Sequence, residues 1–324
     1  MRLIPLMLTV TAVAVGCGTE NELQYRSSLD AETHGVALSH DGLDSYAAMV
    51  GTTCTIDTAW GCPTADEDLP TEDERVTDHY RGTTLAVSDE GVHLLRGAVW
   101  DGETSALAQV RTAKLTDAGV LALGGSAEAC WYHQDGMKSE VPASLCADGT
   151  TVGVDRRGGL VAATPDGVFA VDGEGVRTVH EDADLAAVDA VGGRTYVARR
   201  GERTLTALDD AGAVLWTTEA SGPVVDIEVR GDKQDLVVFA SVSDDLGNIE
   251  RIDGPSGARR SSTRVPTTTG ELVLSGNGHT LALVGRDTVH HFSFVIDGED
   301  PVVRGESVDC FDLPVRQSQG FSTD

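Results

Sequence analysis

Short apolar runs that alternate with polar residues recur along almost the whole chain and constrain its fold more than any other feature. Each run ends in a turn rich in Gly, Asp or Asn and is followed by a second run, as in Val152–Val154 with Leu160–Ala163 and Ile227–Val229 with Leu236–Ala240. The most helix-like stretch, Asp182–Ala190, is short and is better explained as the start of a strand. Alternation with a period of two, with turns every 8–12 residues, is typical of all-β proteins. The sequence therefore predicts an all-β fold.

The spacing of these strand pairs favours one all-β architecture. Val154 to Val188 is 34 residues, Val188 to Ile227 is 39, and Ile227 to Val273 is 46. Units near 40 residues with about four strands each are typical of β-propeller blades. A sandwich of this length would need two domains, and no Pro/Gly/Ser linker divides the body. We predict a single β-propeller over 34–324 with about seven blades, six or eight remaining open.

One long acidic stretch, Cys54–Tyr80, interrupts the alternating pattern. It is the only long acidic insertion that the sequence suggests. We expect it to be a loop on one blade, pinned at its base by a disulfide between Cys54 and Cys62.

One segment carries a family resemblance. Thr204–Trp216 (TLTALDDAGAVLW) resembles the outer-strand motif of quinoprotein-like (PQQ-repeat) and related WD40-like β-propellers. In this motif Asp209 closes a turn through its own backbone, Gly212 supplies a positive φ, and Trp216 packs between adjacent blades. Weaker copies lie at Gly167–Gly175 and Ile249–Gly257. The resemblance implies the fold and is almost silent on function, because propellers host many unrelated activities.

The same family raises the idea of a quinone-dependent dehydrogenase. Its members carry a Trp in nearly every blade, together with dedicated calcium ligands and catalytic acids. Here only Trp216 lies in the motif, and the other tryptophans are Trp60, Trp100 and Trp131. We therefore expect no quinone and no other cofactor.

The amino end has the layout of an exported protein. Residues 1–16 contain one charge, Arg2, then an apolar run too short to span a bilayer, which predicts a signal peptide. The run ends in Ala14-Val15-Gly16-Cys17, which resembles the lipobox of bacterial lipoproteins, with Ala14 where the family usually has Leu. The resemblance implies diacylglycerol on Cys17 and cleavage before it. An ordinary cleaved signal with an incidental Cys17 is the alternative.

The residues after Cys17 indicate how the protein is held and where. Residues 17–33 are polar without periodicity, so we expect a flexible tether between the lipid and the folded body. The residue after Cys17 is Gly18. In enteric bacteria, an Asp at the position after the lipidated Cys directs retention in the inner membrane. We therefore expect a protein of the cell envelope that is lipid-anchored, with the outer membrane favoured.

Export permits disulfide bonds. With Cys17 lipidated, five cysteines remain. Cys54 with Cys62 and Cys130 with Cys146 are local pairs and the best candidates for bridges. Cys310 is left over, or it reaches Cys54 or Cys62 if the two ends of the fold meet. No C-x-x-C occurs and no His is suitably spaced, so we expect no zinc site.

The charge of the chain excludes some partners. Lys and Arg number 24 against 52 Asp and Glu, giving a formal net charge of −28. Nucleic acid is therefore not an expected partner, because phosphate binding needs a basic footprint. The folded body would also be repelled by an anionic membrane surface.

No sequence motif identifies an enzyme. G-x-S-x-G and H-E-x-x-H are absent, and the adjacent His290 and His291 would point to opposite faces of a strand. Asp244–Asn248 lacks the ligand spacing of an EF-hand loop. We therefore predict no catalytic residues and no metal ligands.

Two functions of different classes remain. The first is a non-catalytic binding or scaffold lipoprotein whose propeller holds a protein or peptide partner. The second is a hydrolase or lyase with acidic residues at the mouth of the central channel. An enzyme predicts titratable side chains that converge there with perturbed pKa values, and a scaffold predicts a broad charged or apolar face.

Overall fold

The computed structural model describes only part of the chain. The described residues are 25–28, 33–38, 44–49, 52–57, 65–68, 75–80, 83–88, 91–96, 99–101, 107–126, 128–134, 136–230, 234–274, 280–285, 288–294, 301–302 and 308–309. The predicted signal peptide (1–16) and Cys17, Cys62 and Cys310 lie outside these ranges.

Thirty strands form seven sheets within these residues. The first strand, β1 (Tyr25–Ser28), precedes six four-stranded antiparallel meanders in which consecutive strands pair. Sheet 1 contains β2 (Thr33–Leu38), β3 (Asp44–Met49), β4 (Thr52–Asp57) and β5 (Ala65–Asp68). Sheet 2 contains β6 (Arg75–Tyr80), β7 (Thr83–Ser88), β8 (Gly91–Arg96) and β9 (Val99–Asp101). Sheet 3 contains β10 (Val110–Thr116), β11 (Gly119–Gly125), β12 (Cys130–Gln134) and β13 (Met137–Val141).

The next three meanders have the same order. Sheet 4 contains β14 (Thr151–Val154), β15 (Leu160–Thr164), β16 (Gly167–Asp172) and β17 (Gly175–His180). Sheet 5 contains β18 (Leu185–Asp189), β19 (Arg194–Ala198), β20 (Thr204–Asp209) and β21 (Val214–Glu219). Sheet 6 contains β22 (Val224–Arg230), β23 (Asp235–Ser241), β24 (Gly247–Asp253) and β25 (Arg259–Val265). The only helix in the described part of the chain is a 3-10 turn, Ala143–Cys146, between sheets 3 and 4.

Sheet 7 joins the two ends of the chain. It contains β26 (Glu271–Leu274), β27 (Thr280–Val284), β28 (Thr288–Phe294), β29 (Pro301–Val302) and β30 (Val308–Asp309). Strand β1 lies between β28, to which it is antiparallel, and β30, to which it is parallel. The first strand of each sheet contacts that of the next, and β26 contacts β2. Sheets arranged in this way about a common axis have the geometry of a β-propeller.

Two expectations about the first part of the chain need correction. We expected 17–33 to be a tether, but Tyr25–Ser28 is a strand that takes its partners from β28 and β30. We also expected a loop over Cys54–Tyr80, but this stretch holds the end of β4, then β5 and β6. These strands are built largely from Thr, Asp and Arg, so an alternation of apolar residues does not mark them.

The core lies between neighbouring sheets, and strand β23 is an example of a strand that packs on both faces. Six of its seven residues are buried, although alternate side chains of a strand point to opposite faces. Leu236, Val238 and Ala240 pack in a cluster with residues of sheet 5, whereas Val237 and Phe239 pack in a cluster with residues of sheet 7. Both faces of the strand are therefore covered, which explains its continuous apolar sequence.

A disulfide bond joins Cys130 in β12 to Cys146 in the 3-10 turn. Both residues are buried, and they pack with Leu145 and Leu160 in a cluster that spans sheets 3 and 4. The bond therefore fixes the connection between these two sheets. Cys54 lies in β4.

No helix in the described ranges is long and apolar enough to cross a membrane.

Candidate functional site

The turn at Asp209 belongs to the motif that suggested the propeller. Asp209 Oδ1 accepts hydrogen bonds from the backbone N–H groups of Ala211 at 2.9 Å and Ala213 at 2.8 Å. Gly212 has a φ of +83°, which a residue with a Cβ rarely adopts. The turn therefore joins β20 to β21 by local interactions alone.

Trp216 lies between sheets 5 and 6. Its Nε1 donates a hydrogen bond to the carbonyl oxygen of Gly254 at 2.7 Å, and its ring centroid is 5.7 Å from that of Tyr196. A Cβ added at Gly257 would lie 2.8 Å from the Trp216 ring. The ring therefore fills the space above a glycine turn of sheet 6, which is a structural task and not a ligand contact.

Four ionisable side chains come together where the first strands of three sheets line the central channel. We call Asp78 in β6, Lys114 in β10, and Asp226 and Glu228 in β22 the channel cluster. Lys114 Nζ lies 3.7 Å from Asp78 Oδ1 and also interacts with the charge of Glu228. Sheets 3 and 6 are not neighbours in the ring, so Lys114 and Glu228 face each other across the channel.

Two carboxylates of the channel cluster connect neighbouring sheets. Asp78 Oδ2 accepts the N–H of Leu115 at 2.8 Å, and Asp226 Oδ2 accepts the N–H of Leu272 at 2.7 Å. Each aspartate directly follows a β-bulge, at the register shifts Val76/Asp78 and Val224/Asp226. A bulge redirects the following side chain, and here it directs a carboxylate towards the first strand of the next sheet.

Sequence reasoning missed this cluster, although one pattern could have shown it. Val76-Thr77-Asp78 and Val224-Val225-Asp226 share the spacing Val-x-Asp in the first strand of their sheets. An Asp is unfavourable in a strand interior, so its recurrence at this register indicates a defined partner.

The pKa values in the channel cluster are shifted. Burial is the largest of the effects that raise the pKa of Asp226 to about 7. The hydrogen bond from the N–H of Leu272 lowers this pKa, whereas the negative charges of Glu228 and Glu271 raise it. Burial also raises the pKa of Glu228, and Lys114 opposes this effect. Asp78 raises the pKa of Lys114. A carboxyl group with a pKa near 7 can exchange protons at neutral pH.

The hydrogen bonds of these carboxylates favour a structural task over proton transfer. Asp226 Oδ1 accepts the N–H of Ile227 at 2.9 Å, in addition to the bond from Leu272 to its other oxygen. Glu228 Oε1 accepts the N–H of Val229 at 3.0 Å. Titratable side chains therefore converge in the channel, as the enzyme alternative requires. Their carboxylate oxygens, however, accept hydrogen bonds from backbone N–H groups and so stabilise the strands.

Asp226→Asn is expected to make the protein more stable, relative to the wild type, at pH 8 than at pH 4. Burial raises the folded-state pKa of Asp226 from its ordinary value of 3.8 to about 7, so the proton that the folded state binds stabilises it below about pH 4, and this stabilisation is lost as pH rises through 7. An asparagine is neutral at every pH, and its one carbonyl oxygen can accept from Leu272 but not also from Ile227, so the lost bond lowers stability at both pH values. We expect the stability difference between variant and wild type to shift by about 1–3 kcal/mol in favour of the variant from pH 4 to pH 8, after allowance for solvent in the channel. Urea unfolding at both pH values measures it, and an equal difference at both would contradict it.

A second group of charges lies within sheet 6, and we call it the sheet 6 ion network; Asp235 and Arg251 are buried, whereas Arg260 reaches solvent. Asp235 in β23 lies directly opposite Asp253 in β24. Arg251 Nη2 lies 2.8 Å from Asp235 Oδ2. Arg260 contacts both aspartates: its Nε lies 3.4 Å from Asp235 Oδ1, and its Nη2 contacts Asp253 Oδ1. The hydroxyl of Ser256 and then Arg260 lower the pKa of Asp253. The positive charges of Arg251 and Arg260 thus offset the repulsion between the two aspartates, which face each other on neighbouring strands.

The described residues contain no group of three or more His, Cys, Asp or Glu side chains arranged to hold a metal ion. Of the segment Asp244–Asn248, the first three residues lie in the turn between β23 and β24 and the last two begin β24. In this turn Ser243 Oγ donates a hydrogen bond to Asp245 Oδ1 at 3.0 Å. His290 and His291 lie in β28 opposite Arg26 and Tyr25 of β1. Neither segment is brought to the channel cluster.

The comparisons with known proteins identify the fold. No protein-family profile matches the sequence, and no curated protein matches it. A chain of a mitotic checkpoint complex crystal structure matches with a TM-score of 0.66 and 10% identity, over 90% of this chain and 98% of its own. The Cps50 (Swd1) β-propeller domain of Myceliophteria thermophila matches with a TM-score of 0.62 and 12% identity, over 85% of this chain and 100% of its own. The chain is a β-propeller. Both neighbours are WD40-type propellers, and the predicted all-β propeller class is confirmed.

Proposed function

We propose that this propeller is a lipid-anchored protein of the cell envelope that binds a protein or peptide partner and performs no catalysis. Three features support the proposal. The sequence resembles a lipoprotein at Cys17, the fold is one that commonly presents binding surfaces, and one sheet exposes a group of apolar side chains. Both structural neighbours lie under 25% identity, so they support the fold and not a particular partner.

The exposed end of sheet 5 carries the proposal. Large exposed apolar side chains of the described residues are Met137, Val191, Val214, Leu215, Val242 and Leu246. Val191, Val214 and Leu215 are 71%, 62% and 49% exposed and all belong to sheet 5. Val191 lies in the turn between β18 and β19, and Val214 directly follows the turn between β20 and β21. In an antiparallel meander these turns share one end, which we call the lower end, and clustered apolar exposure of this kind marks interaction sites.

Site-specific photo-crosslinking tests this proposal. A photoreactive amino acid replaces Val191, Val214 or, as a matched control, Met137, which is equally exposed but lies in sheet 3. We expect one discrete adduct of higher mass in intact cells from the two sheet 5 positions and none from position 137.

A charge at the lower end should remove the adduct. Val214→Asp, with the photoreactive residue at 191, is expected to reduce its yield by about tenfold, since a desolvated charge opposes an apolar contact. No discrete adduct from either sheet 5 position would contradict the proposal. So would an adduct of the same yield from position 137.

The enzyme alternative has one observation in its favour, the pKa of Asp226 near 7. A hydrolase or lyase that uses this group would lose its activity in Asp226→Asn, whereas a binding protein would keep its crosslinked partner. The hydrogen bonds to Ile227 and Leu272 lead us to prefer the binding role.

A further inference from the structure

A cavity opens between sheets 4 and 5 at the lower end, and we call it the 4–5 cavity. It is a small cleft that opens to solvent, with a cavity volume of about 20 Å³. Arg156 and Arg157 contribute from the turn between β14 and β15, Arg177 from β17, and Asp209 and Asp210 from the turn between β20 and β21. The cavity therefore lies on the same end of sheet 5 as the exposed Val191 and Val214.

The three arginines of the 4–5 cavity have no ion pair or side-chain hydrogen bond with any residue that the structure describes. Most other arginines of the described part are engaged, as Arg194 is with Asp189 and Arg259 with Glu250. In a chain with a net charge of −28, three guanidinium groups without a carboxylate partner are unexpected. They can bind planar anionic groups in bidentate geometry.

Two of the three aspartates that line the cavity, Asp155 and Asp209, accept hydrogen bonds within their own turns. Asp155 Oδ1 accepts the N–H groups of Arg157 and Gly159, each at 2.8 Å. Asp209 Oδ1 accepts two backbone N–H groups in the same way. Their remaining oxygens, with the Thr195 hydroxyl, offer acceptors beside the guanidinium groups.

We propose that the 4–5 cavity binds an acidic side chain within a peptide segment of the partner protein, an inference that rests on the proposed function. A peptide supplies a carboxylate for the arginines and backbone N–H groups for the free oxygens of Asp155 and Asp210. Val161 and Val179 line the same cavity, and the exposed Val191 lies in a turn at the same end of sheet 5. The partner segment therefore carries Asp or Glu next to an apolar residue.

An anionic lipid surface fits the cavity less well. The formal net charge of −28 on the chain opposes approach to a surface that carries many anionic headgroups. A free lipid headgroup would also leave the apolar residues at the lower end uncovered.

Selection from a random peptide library tests the inference on the detergent-solubilised full chain. We expect the selected peptides to be enriched in Asp or Glu beside an apolar residue. Labelled selected peptides are then titrated against Arg157→Gln/Arg177→Gln and against the control Arg199→Gln/Arg264→Gln. Both pairs are exposed, and both change the net charge equally.

The inference requires at least a tenfold weaker affinity in the cavity variant and less than a twofold change in the control, with thermal unfolding unchanged in both. Failure to select acidic peptides, or equal weakening in both variants, would overturn it. Binding to phosphatidylglycerol vesicles that is lost only in the cavity variant would also overturn it, in favour of a lipid site. A crosslinked partner at Val191 that persists in the cavity variant would leave the proposed function intact and remove only this inference.

Discussion

Asp235→Ala is expected to lower the free energy of unfolding by about 3–5 kcal/mol. The side chains of Arg251 and Asp235 are 2% and 0% exposed and meet at 2.8 Å. The substitution leaves the buried charge of Arg251 without the carboxylate that it contacts, and it also removes the 3.4 Å contact with Arg260. Removing one member of a buried pair is far more damaging than replacing both, because the other remains desolvated. Urea unfolding at pH 7 measures the loss.

Three variants place this prediction in context. Asp244→Ala changes an exposed aspartate in the β23–β24 turn of the same sheet and should alter stability by less than about 0.5 kcal/mol. Asp235→Leu/Arg251→Met removes both charges and should recover much of the loss. If the alanine variant does not fold, Asp235→Asn, which keeps an acceptor for Arg251, should still unfold at a lower urea concentration than the wild type. An unchanged midpoint would show that the sheet 6 ion network does not stabilise the fold.

Cys17→Ser is expected to move the protein from the membrane fraction to the soluble fraction, by on the order of a hundredfold. We propose that acyl chains on Cys17 hold the protein at the membrane. Each buried methylene contributes about 0.8 kcal/mol, so several chains anchor a folded body that a single chain would hold only reversibly. Fractionation in high salt, followed by mass spectrometry of the amino-terminal peptide, measures the change.

Cys310→Ser is the matched control for the anchor and should leave the protein in the membrane fraction. An unmodified Cys17 in the wild-type peptide would favour the ordinary cleaved signal. Tyr25 lies eight positions after Cys17, a distance of at most about 28 Å when extended. An anchored propeller would therefore lie close to the bilayer, with sheet 7 nearest the attachment point.

The sequence predicts the strands that are covered on both faces, because their apolar residues are numerous. Leu236–Ala240 and Leu160–Ala163 are apolar throughout, and both become the second strand of a sheet. Asp182–Ala190, which we interpreted as the start of a strand, contains β18. The strands that were missed, β1, β5 and β6, pair with other strands through backbone groups, and backbone pairing leaves no pattern in the side chains.

The channel cluster was not predictable in the same way. Asp78, Lys114 and Glu228 belong to sheets 2, 3 and 6, so their proximity depends on the arrangement of the sheets and not on local sequence. The contacts of Asp78 and Asp226 depend further on a bulge in each strand. A bulge shifts the register by one residue, and periodicity alone does not locate it.

The pairing of β1 with β28 has a consequence for how the protein reaches its folded state. Tyr25 lies opposite His291, so the last sheet needs a strand that leaves the ribosome before nearly all the rest of the chain. Contacts between such distant positions are entropically expensive and form slowly. The leading strand must stay available, without pairing elsewhere, until the final sheet emerges. Completion of the last sheet is therefore a late event in folding, and a chain halted before β28 would lack the strand that pairs with β1.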